Sequence, residues 1–256
     1  MSQLSALWLA SPWAVTLPAG SDVLLTVQPY FFADVDRATQ AYAVQPFSIV
    51  YEESTGKRYE AFDCVCVPKL SWESGGKIMI DWTVKGKWRD VTSSANVTPV
   101  YPEQYGTPAP QPPLIGQNAA LALTGFFGTN TNALSKVTVD TGWAISDVAD
   151  TRQAYGFGLG FIALTTYPTI ALEVANFAES VEPDWTAAQA NTVYNSADLT
   201  VTLTVGSNSI VFTLAEPQLI EWPAPGEANG YRNIGLKFGG IPNSGQTTVM
   251  SILFNS

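Results

Sequence analysis

Carboxylates are the most numerous groups in this chain that could carry acid–base chemistry, because its 256 residues include no histidine. Without imidazole there is no Ser-His-Asp or Cys-His triad and no His-ligated zinc or haem. The acids that stand close in sequence are Asp34/Asp36, Glu52/Glu53, Asp147/Asp150 and Glu182/Asp184. Each pair lies in a polar or turn-like stretch, where carboxylates are usually solvated. Glycosidases instead bring two carboxyl groups together from separate elements. Nothing singles out one pair, so the sequence assigns no catalytic residue, and we do not expect an enzyme.

Three other groupings carry chemistry elsewhere but read structurally here. Cys64 and Cys66 are two residues apart in Phe62-Asp63-Cys64-Val65-Cys66-Val67, so on a strand they share a face, which does not suit a mutual disulfide. Two thiols without further Cys or His are a poor zinc set, and we read them as small strand residues in a reducing compartment. Gly156-Phe157-Gly158-Leu159-Gly160-Phe161 alternates glycines, but no Gly-Lys-Ser/Thr follows, and Ile162–Thr166 continues as strand. Lys85-Gly86-Lys87-Trp88-Arg89 is the one local basic cluster. It could touch a phosphate backbone, but pairing with acids of a neighbouring subunit is the better expectation in an acidic protein. No cofactor and no metal site are expected.

The charge balance narrows the partners. Twelve Lys and Arg face 22 Asp and Glu, for a net −10. Residues 1–90 hold eight bases against ten acids, and residues 91–256 hold four against twelve. Such a surface lacks the clustered cations that displace counterions from DNA. The eight tryptophans (Trp8, Trp13, Trp72, Trp82, Trp88, Trp143, Trp185 and Trp222) could stack on sugars. Several fall on apparent strands, so core and subunit interfaces are favoured over a sugar platform, with Trp185 the best exposed anchor.

Most of these residues fall in or beside predicted strands. Short alternating runs of Thr, Val, Ile, Phe and Tyr lie between Gly, Pro and Asn signals. The pattern predicts strands over Val23–Val27, Phe47–Glu52, Tyr59–Val67 and Lys77–Lys85. Further on it predicts Ala120–Phe126, Lys136–Thr141, Tyr155–Thr165, Thr169–Val174, Leu199–Val205, Ser209–Ala215, Tyr231–Phe238 and Thr247–Phe254. One or two short helices are allowed at Ala33–Ala43 and Asp184–Tyr194. Six of the 17 prolines fall between Pro99 and Pro113, which marks a linker. The expected division is a β-domain over 1–98, the linker over 99–113 and a second β-domain over 114–256.

An internal echo supports that division. Phe47–Val50, Gly56, Pro68-Lys69-Leu70-Ser71-Trp72, Gly76 and Ile80–Gly86 follow one another in the first part. Leu199–Thr202, Gly206, Pro217-Gln218-Leu219-Ile220-Glu221-Trp222, Gly230 and Ile234–Gly239 follow in the second. A duplicated β-domain is the economical explanation. The first basic residue is Arg37, so no basic n-region opens a secretory signal, and no run is apolar for long enough to span a membrane. The expectation is a protein made and kept in a cytoplasm, or released by lysis.

The second part resembles a family. Leu134–Asp140, then Asp147–Arg152 and Phe161–Leu172, look like the major tail tube proteins of long-tailed phages, in their larger, duplicated type. Leu199–Gly206 and Gly230–Phe238 are similar to the closing strands of that family, and Phe62–Leu70, Gly76 and Ile78–Gly86 to its equivalent hairpin. The resemblance implies a mainly all-β fold of β-sandwich or half-barrel domains, two in tandem. It implies a virion tail protein, assembled in the host cytoplasm, whose rings stack into a tube that conducts DNA during ejection. The partners would be copies of itself and other tail proteins, in trimeric rings if duplicated and hexameric rings otherwise. DNA would cross the lumen without specific binding, along a wall lined by part of the acid excess of residues 91–256. Ala33–Ala43 and Glu179–Ser196 would be arms to the next ring. A carbohydrate-binding or adhesin β-module, or another virion β-protein, is the alternative.

Overall fold

A computed structural model describes residues 11, 13–16, 23–27, 47–52, 57–93, 119–122, 133–146, 161–164, 167–175, 198–205, 208–221, 225–228, 231–240 and 249–255. Every regular element among them is a β-strand, and all pairings are antiparallel. Both helix candidates, Ala33–Ala43 and Asp184–Tyr194, and the Pro-rich stretch 99–113 lie outside the described residues. Among the described residues no helix is long and apolar enough to cross a membrane.

The strands are β1 Trp13–Thr16, β2 Val23–Val27, β3 Phe47–Glu52, β4 Lys57–Glu73, β5 Met79–Ser93, β6 Ala119–Ala122, β7 Ala133–Asp140 and β8 Trp143–Ser146. They continue with β9 Phe161–Leu164, β10 Thr169–Ala175, β11 Leu199–Val205, β12 Asn208–Leu214, β13 Pro217–Glu221, β14 Pro225–Ala228, β15 Tyr231–Gly240 and β16 Met250–Asn255. One sheet has the order β1-β2-β16-β12-β11-β6. The second runs β13-β15-β10-β7-β4-β3, with β14 beside β15 and β5 beside β4. β8 and β9 form a separate hairpin. Because β2 pairs with β16 and β4 with β7, both sheets draw strands from before and after residues 99–113.

Alternation explains why these runs become half-buried strands. In β12, Ile210, Phe212 and Leu214 are buried while the residues between them are not. In β10, Ile170, Leu172 and Val174 point inward and Glu173 outward. The inner faces of the two sheets make one core, and the Trp72 and Phe212 rings stack across it with centroids 4.9 Å apart. Burying a side chain such as Phe212 or Leu172 contributes about 1.5–3 kcal/mol. At one end the sheets come close enough that Gly240 has no room for a Cβ, which would run into Val249 and Leu214.

The β8–β9 hairpin covers part of the outer face of the larger sheet. Cys64, Cys66, Leu70 and Trp72 lie on the inner side of β4, so Val65 and Val67 point outward by the strand alternation. Both valines are nonetheless buried, and β8 is the element that contacts β4 there. Lys85 of β5 ties the hairpin down by donating from Nζ to the Ile145 carbonyl at 3.4 Å. The chain enters the hairpin through a turn at Gly142, whose φ of 70° suits glycine and whose N–H donates to Asp140 Oδ1 at 2.8 Å.

The echoed segments meet different surroundings. Phe47–Val50 and Ile80–Gly86 lie in the same sheet, on β3 and β5. Leu199–Thr202 lies in the smaller sheet on β11, and Ile234–Gly239 in the larger on β15. Two acids with left-handed backbone stand before the Pro-x-Leu segments, Asp63 with φ 50° and Glu216 with φ 42°. Glu216 sits at the corner where the chain leaves β12 and enters the larger sheet as β13.

Candidate functional site

Among the described residues, the exposed apolar side chains of β3 belong to an arm of three strand segments. β4 is 17 residues long and β5 is 15. Their paired ladder runs from Lys57↔Ser93 to Ser71↔Met79. β3 joins the other side of β4 from Arg58 to Cys64, and β7 takes over from Lys69. No residue of β4 before Cys64 is buried, whereas Cys64 through Pro68 all are. The first half of β4, with β3 and the distal half of β5, therefore extends past the covered part of the sandwich.

β3 is the edge strand of this arm. Ile49, Val50 and Tyr51 are 41%, 44% and 62% exposed, so both faces of the edge present apolar groups to solvent. Ile49 pairs with Ala61 and Tyr51 with Tyr59, and the two tyrosine rings lie 6.1 Å apart. Through Phe47↔Cys64 this face is continuous with the inner face of the sheet. Among the described residues only β4 pairs with β3, so no described strand takes up its outer row of backbone donors and acceptors.

A second feature is a shallow open groove of about 310 Å³ on the outer face of the larger sheet. Ala171 and Gly235 belong to its lining, and Lys136, Glu173, Glu221 and Lys237 stand around it. The charges alternate from strand to strand. Lys136 pairs with Glu73 at 3.4 Å, Lys69 with Asp140 at 3.4 Å, and Lys237 with Glu221. Such exposed pairs each contribute little to stability, about 0–1 kcal/mol. This face is a mosaic of both signs and not a continuous acidic wall.

The sequence candidates distribute as follows. Asp34/Asp36, Asp147/Asp150, Glu182/Asp184, Glu53, Trp8, Trp185, Trp222 and Gly156–Gly160 lie outside the described residues, and Glu52 ends β3. Phe161–Leu164 is strand β9, as the apolar run predicts. Trp13, Trp72 and Trp143 are buried in the core and offer no sugar platform. In the basic cluster, Lys87 pairs with Asp63 of its own chain at 3.2 Å and lies over the Phe62 ring, where a neighbouring subunit's acid was expected. The exposed apolar edge is absent from the sequence candidates. Its signal is the run Ile49-Val50-Tyr51, apolar at every position where a half-buried strand would alternate.

Cys64 and Cys66 form no disulfide and are fully buried on one face of β4. Burial pushes both thiols up, Cys66 to about 12, so neither is a poised nucleophile. Among the described residues no group of three or more Cys, Asp or Glu could hold a metal ion. The arrangement therefore offers surfaces for docking and no assembled reaction centre among the described residues. No family model matches the sequence, and no curated protein matches it.

Proposed function

We propose that the protein is a structural subunit of a virion tail, polymerising as stacked rings into a tube through which DNA is ejected. The observation that carries this reading is the exposed apolar edge at Ile49-Val50-Tyr51, which no described strand covers. Globular proteins usually blunt such edges with charge, proline or a cover, because an unpaired apolar strand recruits another chain. An edge left open is one that a partner closes, and head-to-tail contacts between identical subunits generate closed rings or open helices. The pattern resemblance to tail tube proteins supplies the form of that assembly. A trimeric ring follows if the internal echo is a duplication, and a hexameric one otherwise.

The acidic excess of residues 91–256 suits a conduit, since a wall without cation clusters gives a passing polyanion nothing to release counterions against. The mosaic face of the larger sheet suits protein contact better than such a wall.

Negative-stain microscopy of the purified protein tests the reading. Rings or tubes are expected from the unmutated chain. The double substitution Ile49→Lys and Tyr51→Lys should leave a folded, soluble monomer, because both side chains are already exposed. Monodisperse monomers of the unmutated chain at every concentration would overturn it, and unimpaired tubes from the double variant would remove the β3 edge as the contact that builds them.

A further inference from the structure

We propose that Asp63 is an elbow that aims the arm built from β3, the first half of β4 and the distal half of β5. Both neighbours of β4 skip a residue at the same point. On the β5 side, Phe62 pairs with Lys87 and Val65 with Lys85, three steps along β4 against two along β5. On the β3 side, Ala61 pairs with Ile49 and Cys64 with Phe47, again three against two. The extra residue thus belongs to β4 alone, and a bulge of this kind bends the strand that carries it. The left-handed φ of 50° at Asp63 marks the same spot. Asp is among the few non-glycine residues that tolerate that region.

The opposite strand is shaped to receive the bend. A Cβ on Gly86 would run into the Cys64 Sγ and crowd the Phe62 carbonyl, so only glycine lets β4 lean onto β5 there. Lys87 then clamps the bulge, with its Nζ 3.2 Å from Asp63 Oδ2 and 5.9 Å from the Phe62 ring centroid. The Lys87 side chain is 16% exposed, so this ion pair is better shielded than those of the outer mosaic.

The bulge also chooses which face of the arm is apolar. Along β4 the inner positions run Cys64, Cys66, Leu70 and Trp72 on even numbers, and Tyr59 and Ala61 on odd ones. Without the extra residue, Arg58, Glu60 and Phe62 would occupy the face that Ile49 and Tyr51 now share with Tyr59 and Ala61. The elbow therefore presents a continuous apolar surface, and its consequence for tubes rests on the assembly reading above.

Spin labels at Lys57→Cys and Lys77→Cys, near the two ends of the β4–β5 ribbon, report the arm's direction by double electron–electron resonance. The native thiols are buried and stay unlabelled. The reference pair should give one narrow distance peak. Lys87→Met should broaden it about the same mean, and deletion of Asp63 should move the mean by at least ~3 Å, the rise of one strand residue. Unchanged width and mean in both variants would overturn the proposal. If the deletion variant fails to fold, an unchanged width in Lys87→Met alone overturns it. Tubes are scored on the same samples. Moved distances with unimpaired tubes would remove the link to assembly and leave the elbow standing. An unmutated chain that never forms tubes would remove the assembly reading, while the distances still decide the elbow.

Discussion

Phe212→Ala is the substitution that most directly probes how the two sheets are joined. Phe212 is fully buried on β12, and its ring stacks at 4.9 Å on Trp72 of β4 in the other sheet. Truncating a core phenylalanine costs about 3–5 kcal/mol, of which the ring pair accounts for ~0.5–1.5. That is a large share of a typical stability of ~5–15 kcal/mol, and corresponds to a fall in Tm on the order of 10 °C for a chain of this size. Urea unfolding followed by tryptophan fluorescence measures it, in a double-mutant cycle with Trp72→Leu. A coupling of about 1 kcal/mol and one shared transition are expected, because the two residues touch. They stand on opposite sides of residues 99–113, so the coupling also says that strands from both parts unfold together. Effects that add within ~0.3 kcal/mol, or that shift two separate transitions, would mean that this ring pair does not join the two sheets.

Two glycines of β15 should respond oppositely to alanine. Gly240→Ala drives a methyl group into Val249 and Leu214 and should cost about 1–3 kcal/mol, while Gly235→Ala meets nothing within 4 Å and should stay within ~0.5, both read by urea midpoints. Burial holds the Cys66 thiol neutral, with its pKa pushed up to about 12. The fold keeps that contribution in full below the unfolded value near 8.5 and loses it as pH rises toward the folded value. Unfolding curves between pH 8 and 11 should show a falling stability that Cys66→Ala makes shallower, and a slope untouched by that substitution would contradict the assignment.

Where one face of a strand is core and the other solvent, the sequence is readable. Val23–Val27 and Leu199–Val205 form strands over the predicted residues, since their β-branched runs end at turn signals. The strands that pattern reading passes over are short or poor in strand formers. β14, Pro225-Gly226-Glu227-Ala228, has no such composition and exists through its pairing with β15. β4 outruns its prediction at both ends and passes through Pro68, a residue that argues against a strand. Pro68 lies in the interval between β3 and β7, so its missing donor breaks no ladder on that side. The arm was harder to see, because exposed apolar strand residues look like core residues until the covering sheet is placed. Its elbow did leave a trace, namely that the apolar alternation changes parity at Asp63. The acid pairs carried no comparable trace, since nothing about them ties one carboxylate to another element.

The pairing of β2 with β16 bears on when the molecule becomes competent. Most of the chain separates these two strands, and β16 is what connects β1 and β2 to the rest of their sheet. During synthesis the smaller sheet cannot be completed until residues 250–255 have left the ribosome, and contacts of such long range form slowly. A partial product carries the apolar β3 edge but lacks a finished body behind it. Chains cut short of β16 should therefore leave β2 without its neighbour and the smaller sheet divided.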